Sequence, residues 1–172
     1  MQLLLPSQLI RRLQRELRRA GRREIGGLLM GEHVRDEVFR IVDVSVQRTG
    51  GSQACFIRHP KDHEKQLKKF FGRTGGDYAR FNYLGEWHSH PTFEPIPSRT
   101  DLCTMQSMVE DPDVGVNFLV LLVCKKARDE AIEATAIVFR AGTEPLGVPV
   151  ALEGTPAQKA TLTQRFWKFL GR

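Results

Sequence analysis

Cysteine is sparse and poorly spaced: the chain has three, Cys55, Cys103 and Cys124, and no Cys-x-x-Cys pair. An odd, scattered set excludes a disulfide scaffold and a cysteine-built zinc site, and it suits a reducing cytoplasm. Long apolar runs are missing as well. The longest, residues 116–124 (VNFLVLLVC), is strand-sized, whereas a bilayer span needs about 20 residues. The opening MQLLLPSQLIRR has too short an apolar core for a signal peptide and no small-residue cleavage site. The expectation is a cytoplasmic protein with no membrane partner. Internal repeats and low-complexity tracts are absent. Aromatic residues make up 8% of the chain, and none interleaves with the charges of residues 11–24 (RRLQRELRRAGRRE). The net charge of +6 therefore reads as the wet face of a helix and not as a base-stacking surface, so nucleic acid is not an expected partner. An acidic protein partner is compatible with that face.

What is present is the composition of a globular protein, 41% hydrophobic and 27% charged over 172 residues, enough for one domain with a real core. Ile10, Leu13, Leu17 and Ala20 recur at helical spacing, with Ser7 as a cap and Gly21 as a stop. EIGGLLMGEHV and EVFRIVDVSVQ read as two strands joined by a polar turn at Arg35–Asp36. The Gly26–Gly27 pair signals a bulge or a close backbone approach. QACFIR reads as a third strand, and DHEKQLKKFFGR as a helix with Leu67, Phe70 and Phe71 on one face. YARFNYLGEWHSH alternates as a strand does, and a proline-rich loop, Pro91–Pro97, follows it. SRTDLCTMQSMVED is a helix with Leu102, Met105 and Met108 facing inward, and VNFLVLLVCKK and EATAIVFR are late strands. The tail from Gly142 looks like a linker, and it ends in a basic amphipathic helix, QKATLTQRFWKFLGR. The pattern predicts an α+β fold with a largely antiparallel or mixed sheet. Residues 1–145 form the domain with its N-terminal helix, and 146–172 form a linker and a helix packed on or near it.

Chemistry concentrates between Gly85 and Asp101. His88 and His90 are two apart on a predicted strand, so both imidazoles face one way and can share a zinc ion. Asp101, in the first turn of the next helix, can close a set of three ligands. Three protein ligands with an open fourth position mark a catalytic zinc, whereas four close a structural one. Ser98-x-x-Asp101 by itself reads as a capping box, and strand histidines by themselves often sit at a solvated edge. A cap does not account for Trp87 or for Pro91, Pro95 and Pro97, which stiffen the loop between the two halves. Ser98 can open the helix with its backbone and still turn its hydroxyl toward a metal. Trp87 reads as core packing. His33, His59 and His63 read as surface residues.

HSHPTFEPIPSRTD, residues 88–101, resembles the JAB/JAMM (MPN-plus) metalloprotease motif position by position. That motif runs His, Ser or Thr, His, Pro, then Ser after seven intervening residues, then Asp three positions on. Here the members are His88, Ser89, His90, Pro91, Ser98 and Asp101. The family also needs a glutamate at the start of a Gly-rich strand, and REIGGLLMG supplies Glu24. The resemblance spans Glu24 to Arg140. It implies a single JAB/MPN domain with a mixed curved β-sheet flanked by helices, of cytidine-deaminase-like architecture. It also implies one zinc ion (Zn2+) with a bound catalytic water, held by His88, His90 and Asp101. Glu24 is then the general base, and Ser98 the donor to the oxyanion.

Members of this kind cut the peptide or isopeptide bond after the C-terminal tail of a ubiquitin-like protein. The resemblance to prokaryotic JAB proteins implies a ubiquitin-like protein or its conjugate as substrate. It also implies operon-encoded activating- and conjugating-enzyme homologues as partners, in anti-phage CBASS systems or bacterial ubiquitin-like conjugation (Bil) operons. EDPDVG is a tight turn where polyubiquitin-specific relatives carry an insertion, which argues against linkage-specific polyubiquitin cleavage. Two alternatives stand beside this. One is a peptidase that trims the C-terminus of a sulfur-carrier protein. The other is a nucleic-acid-associated protein like RadC, whose loop is similar but whose chain has a longer helical segment in front.

Overall fold

The computed structural model describes residues 1–48, 60–127 and 131–153. The expected strand at QACFIR, His59, Cys55 and the amphipathic helix of the tail lie outside the described residues. The elements run β1 (Gln2–Leu5), α1 (Ser7–Ala20), β2 (Gly26–Arg35), β3 (Val38–Val44), α2 (Pro60–Arg73), β4 (Phe81–Ser89), α3 (Arg99–Glu110), β5 (Leu119–Lys126), β6 (Ile132–Phe139), β7 (Leu146–Val148) and β8 (Val150–Leu152). Among the described residues, no helix is long and apolar enough to cross a membrane.

Among the described residues the strands form one mixed sheet of eight in the order β7-β6-β5-β4-β2-β3-β1-β8. β2 pairs antiparallel with β3 and β4, β4 runs parallel to β5, and β5 pairs antiparallel with β6. β7 and β8 lie at opposite ends of that order, yet only Pro149 separates them in the chain. One extended segment therefore joins both edges, and the sheet curls until it is nearly closed. Pro149 takes part through its carbonyl, which accepts from Leu3 N at 2.9 Å. Residues 146–152 thus contribute two strands where the sequence predicted linker. Pro and Gly obscured them, and each strand is only three residues long.

Alternation along β5 divides the core. Val120, Leu122 and Cys124 pack with Leu9, Leu13 and Leu17 of α1. Leu119, Leu121 and Val123 pack with Met105 and Val109 of α3. The two helices therefore cover opposite faces of the sheet. α1 ends at Gly21, whose positive φ of 64° lets its N–H reach Leu17 O. At the other end the cap is Pro6, and Ser7 is already helical. The Pro6 carbonyl accepts from Leu9 N and Ile10 N, and the ring holds the preceding Leu5 extended, so β1 stops where α1 starts.

Trp87 is buried in the core at 1% exposure, with its indole N–H donating to Ser45 O at 2.9 Å. The Gly26–Gly27 signal corresponds to a close approach: a Cβ on Gly27 would lie 2.3 Å from Ser45 O. α2 buries Phe70 against the ring of Phe81, while Leu67 and Phe71 are only half-buried. His63, expected at the surface, is 1% exposed. Its Nδ1 lies 2.6 Å from Ser45 Oγ and its Nε2 3.1 Å from Gln47 Oε1. A histidine in the first turn of an amphipathic helix carries no signal that its ring points inward onto a polar pair.

Candidate metal centre

The site forms where β2 begins and β4 ends. The register pairs Gly26 with His88 and Gly27 with Trp87. Two further steps along the same antiparallel register bring Glu24 opposite His90. Glu24, His88 and His90 then share the face that α3 covers, while Ser89 and Trp87 point to the other. The last ladder bonds here are Ser89 N to Ile25 O at 2.8 Å and His90 N to Cys124 O at 2.9 Å. Pro91 then ends the strand, since it has no N–H to offer.

The imidazoles of His88 and His90 stand with their Nε2 atoms 3.1 Å apart. Asp101 Oδ2 lies 3.7 Å from His88 Nε2, and the three ligand atoms fall within 4.8 Å of one another. His90 Nδ1 is 2.8 Å from Glu94 O. A carbonyl can only accept, so Nδ1 carries a hydrogen, which leaves Nε2 as the nitrogen able to offer a lone pair to a metal. Lys125 Nζ holds the same loop through Glu94 Oε1 at 2.9 Å. Burial pushes the His88 pKa down to about 4, against the pull of Asp101, so His88 is neutral at pH 7.

Asp101 is fixed by the capping box. Its Oδ2 accepts from Ser98 N at 2.7 Å and from the Ser98 hydroxyl at 2.6 Å, and its own N–H donates to Ser98 Oγ at 3.2 Å. Cap and ligand are therefore one arrangement, because the carboxylate that closes the cap is the one aimed at the histidines. Glu24 is 4% exposed, so it is not a solvated acid at the strand start. Burial raises its pKa, His90 opposes the rise, and Asp101 adds to it. Two imidazole nitrogens and a carboxylate oxygen, convergent and held from behind, form a donor set that fits a divalent metal ion.

The structure brings together all five residues singled out from the sequence, Glu24, His88, His90, Ser98 and Asp101. Sequence reasoning counted Ser89 in the motif but gave its side chain no role, and its hydroxyl accepts from Ile25 N at 3.0 Å; the Glu94 carbonyl it missed. Its place between two histidines puts the Ser89 side chain on the opposite face. A backbone carbonyl leaves no mark in residue types.

A solution structure of a protein from Desulfitobacterium hafniense superposes with a TM-score of 0.63, covering 92% of this chain and 97% of that one. At 17% identity it shares the fold alone. A Vibrio cholerae serotype O1 protein named CD-NTase/cGAS isopeptidase is 31% identical over 105 residues, 60% of this chain and 63% of the relative. A protein of the same name from Enterobacter hormaechei is 29% identical over 114 residues, 64% of this chain and 60% of the relative. The match thus spans less than two thirds of either relative. Residues 6–140 match the family of prokaryotic homologues of the JAB domain, and the chain belongs to that family.

Proposed function

We propose that this chain is a zinc isopeptidase that cuts after the C-terminal tail of a ubiquitin-like protein or of a protein conjugated in the same way. The observation that carries this is the convergence of His88, His90 and Asp101 within 4.8 Å, beside a buried Glu24. The name of two relatives, CD-NTase/cGAS isopeptidase, supports a CD-NTase as the conjugated protein. The anti-phage setting and the cytoplasmic location are carried over from the family resemblance and belong to the same proposal.

Zinc, held by His88, His90 and Asp101, would supply Lewis-acid polarisation of the scissile carbonyl and make an attacking water more acidic. Glu24 accepts the proton of the attacking water and returns it to the leaving amine. Its raised pKa suits both halves of that exchange, because a stronger base takes the proton more readily and still gives it up to an amine. Ser98 donates its hydroxyl to the developing oxyanion, a contribution of about 3 kcal/mol where such a donor counts. To do so the hydroxyl must leave Asp101 Oδ2, and the Ser98 N–H keeps hold of that oxygen during the swap.

The test is cleavage of a CD-NTase fused through its C-terminus to green fluorescent protein. Zinc-loaded wild type should release the reporter. Glu24→Gln should be at least about 100-fold slower while still binding one zinc. His88→Ala and chelator-treated wild type should be inactive. Equal cleavage by wild type and Glu24→Gln would sink the reading.

A further inference from the structure

Ile25 is the residue that joins Glu24 to the sheet, and one residue grips both of its backbone polar groups. Ser89 N–H donates to Ile25 O at 2.8 Å, as an antiparallel ladder requires. The return bond is unusual: Ile25 N–H donates to the Ser89 hydroxyl at 3.0 Å and not to a backbone carbonyl. Both residues are 0% exposed, so no solvent can take the place of that hydroxyl.

Upstream of Ile25 the chain is loosely tied. Arg22 and Arg23 are exposed and follow the end of α1. The backbone tie there is Arg23 N to Ala20 O at 3.2 Å. The orientation of the peptide between Glu24 and Ile25, and with it the direction of the Glu24 side chain, is therefore decided at the Ile25 N–H. We infer that Ser89 is a positioning residue for Glu24. Its hydroxyl fixes the Glu24–Ile25 peptide, so that the carboxylate faces His90 and Asp101. This rests on the reading of Glu24 as the base. The histidines do not share the dependence: they flank Ser89 on β4, which is held independently by its parallel pairing with β5. The geometry thus separates metal binding, which Ser89 leaves alone, from proton transfer, which it sets up.

Three variants test this. Ser89→Ala removes the acceptor, Ser89→Cys keeps the size with a weak acceptor, and Ser89→Thr restores the hydroxyl. Zinc stoichiometry and affinity, amide hydrogen exchange at Ile25, and cleavage of the CD-NTase fusion are measured on each. In Ser89→Ala the Ile25 amide should exchange at least about 10-fold faster. Zinc should bind one per chain with affinity within about threefold of wild type, since all three ligands are retained. The kcat should fall by about 10- to 100-fold with KM little changed, as expected for a misplaced base. Ser89→Cys should fall between, and Ser89→Thr should recover most of the kcat. A role in stability alone would lower the unfolding temperature and leave the kcat of the folded enzyme intact, which would overturn the inference. Unchanged exchange at Ile25 in the folded Ala or Cys variant would overturn it too. Wild type failing to cut the fusion would count against the function reading, and the Ile25 exchange would still decide whether Ser89 holds the residue beside Glu24.

Discussion

His88 is 7% exposed and lies between His90 and Asp101. Its pKa falls from the ordinary 6.5 to about 4, so the folded chain refuses a proton that the unfolded chain accepts. That stability is fully present above pH 6.5 and is lost as the pH falls toward 4, a difference on the order of 3 kcal/mol. The metal-free protein should therefore show a falling urea midpoint from pH 6.5 to pH 4.5, and His88→Gln should flatten that part of the slope. An unchanged slope in the variant would place the acid sensitivity elsewhere. The histidine pair itself was legible in residue types, because a two-residue spacing on a strand puts both rings on one face. The lowered pKa was not, because it comes from packing by α3 and the neighbouring strands.

At the scale of elements, the site depends on how closely β2, β3 and β4 approach. Gly27 lies against the Ser45 carbonyl and hydroxyl, and Gly85, with φ of 141°, lies against the backbone of Val120. Ser45 in turn accepts from Leu28 N, contacts His63 and takes the Trp87 indole N–H on its carbonyl. A methyl on Gly27 would have to displace backbone. Gly27→Ala should cost about 3 kcal/mol, visible as a lowered unfolding temperature. It should also weaken the proposed metal binding, because β4 carries His88 and His90 and is held against β2 at this point. The paired glycines announced a bulge or a close approach from sequence alone, and the structure shows the close approach. What they approach was hidden, since Ser45 and Trp87 are distant in the chain.

At the scale of the whole molecule, the nearly closed sheet depends on residues 146–152. β7 covers the edge of β6, and β8 covers the edge of β1. Val148 is buried in the core shared with α1. A chain ending at Pro145 would leave two strands unpaired and Val148 missing. Exposed edges of this kind recruit other chains, so the truncated protein should elute as aggregate in size-exclusion chromatography where the full chain elutes as a discrete species. A truncated protein that stays discrete, with an unchanged unfolding temperature, would show that closure is dispensable.

The sequence by itself determined the elements around the site and the residue types within it. Alternation marked β4, helical spacing marked α1 and α3, and the Ser98 to Asp101 spacing marked the start of α3. Local periodicity and local capping chemistry write such features into short stretches of chain. The tertiary structure decided what the burial of Glu24 does to its pKa, that Ser89 reaches Ile25, that His63 turns inward, and that the short strands after Gly142 close the sheet. Each of these joins parts of the chain that no local pattern connects, and each depends on which polar groups lose access to water once the sheet curls.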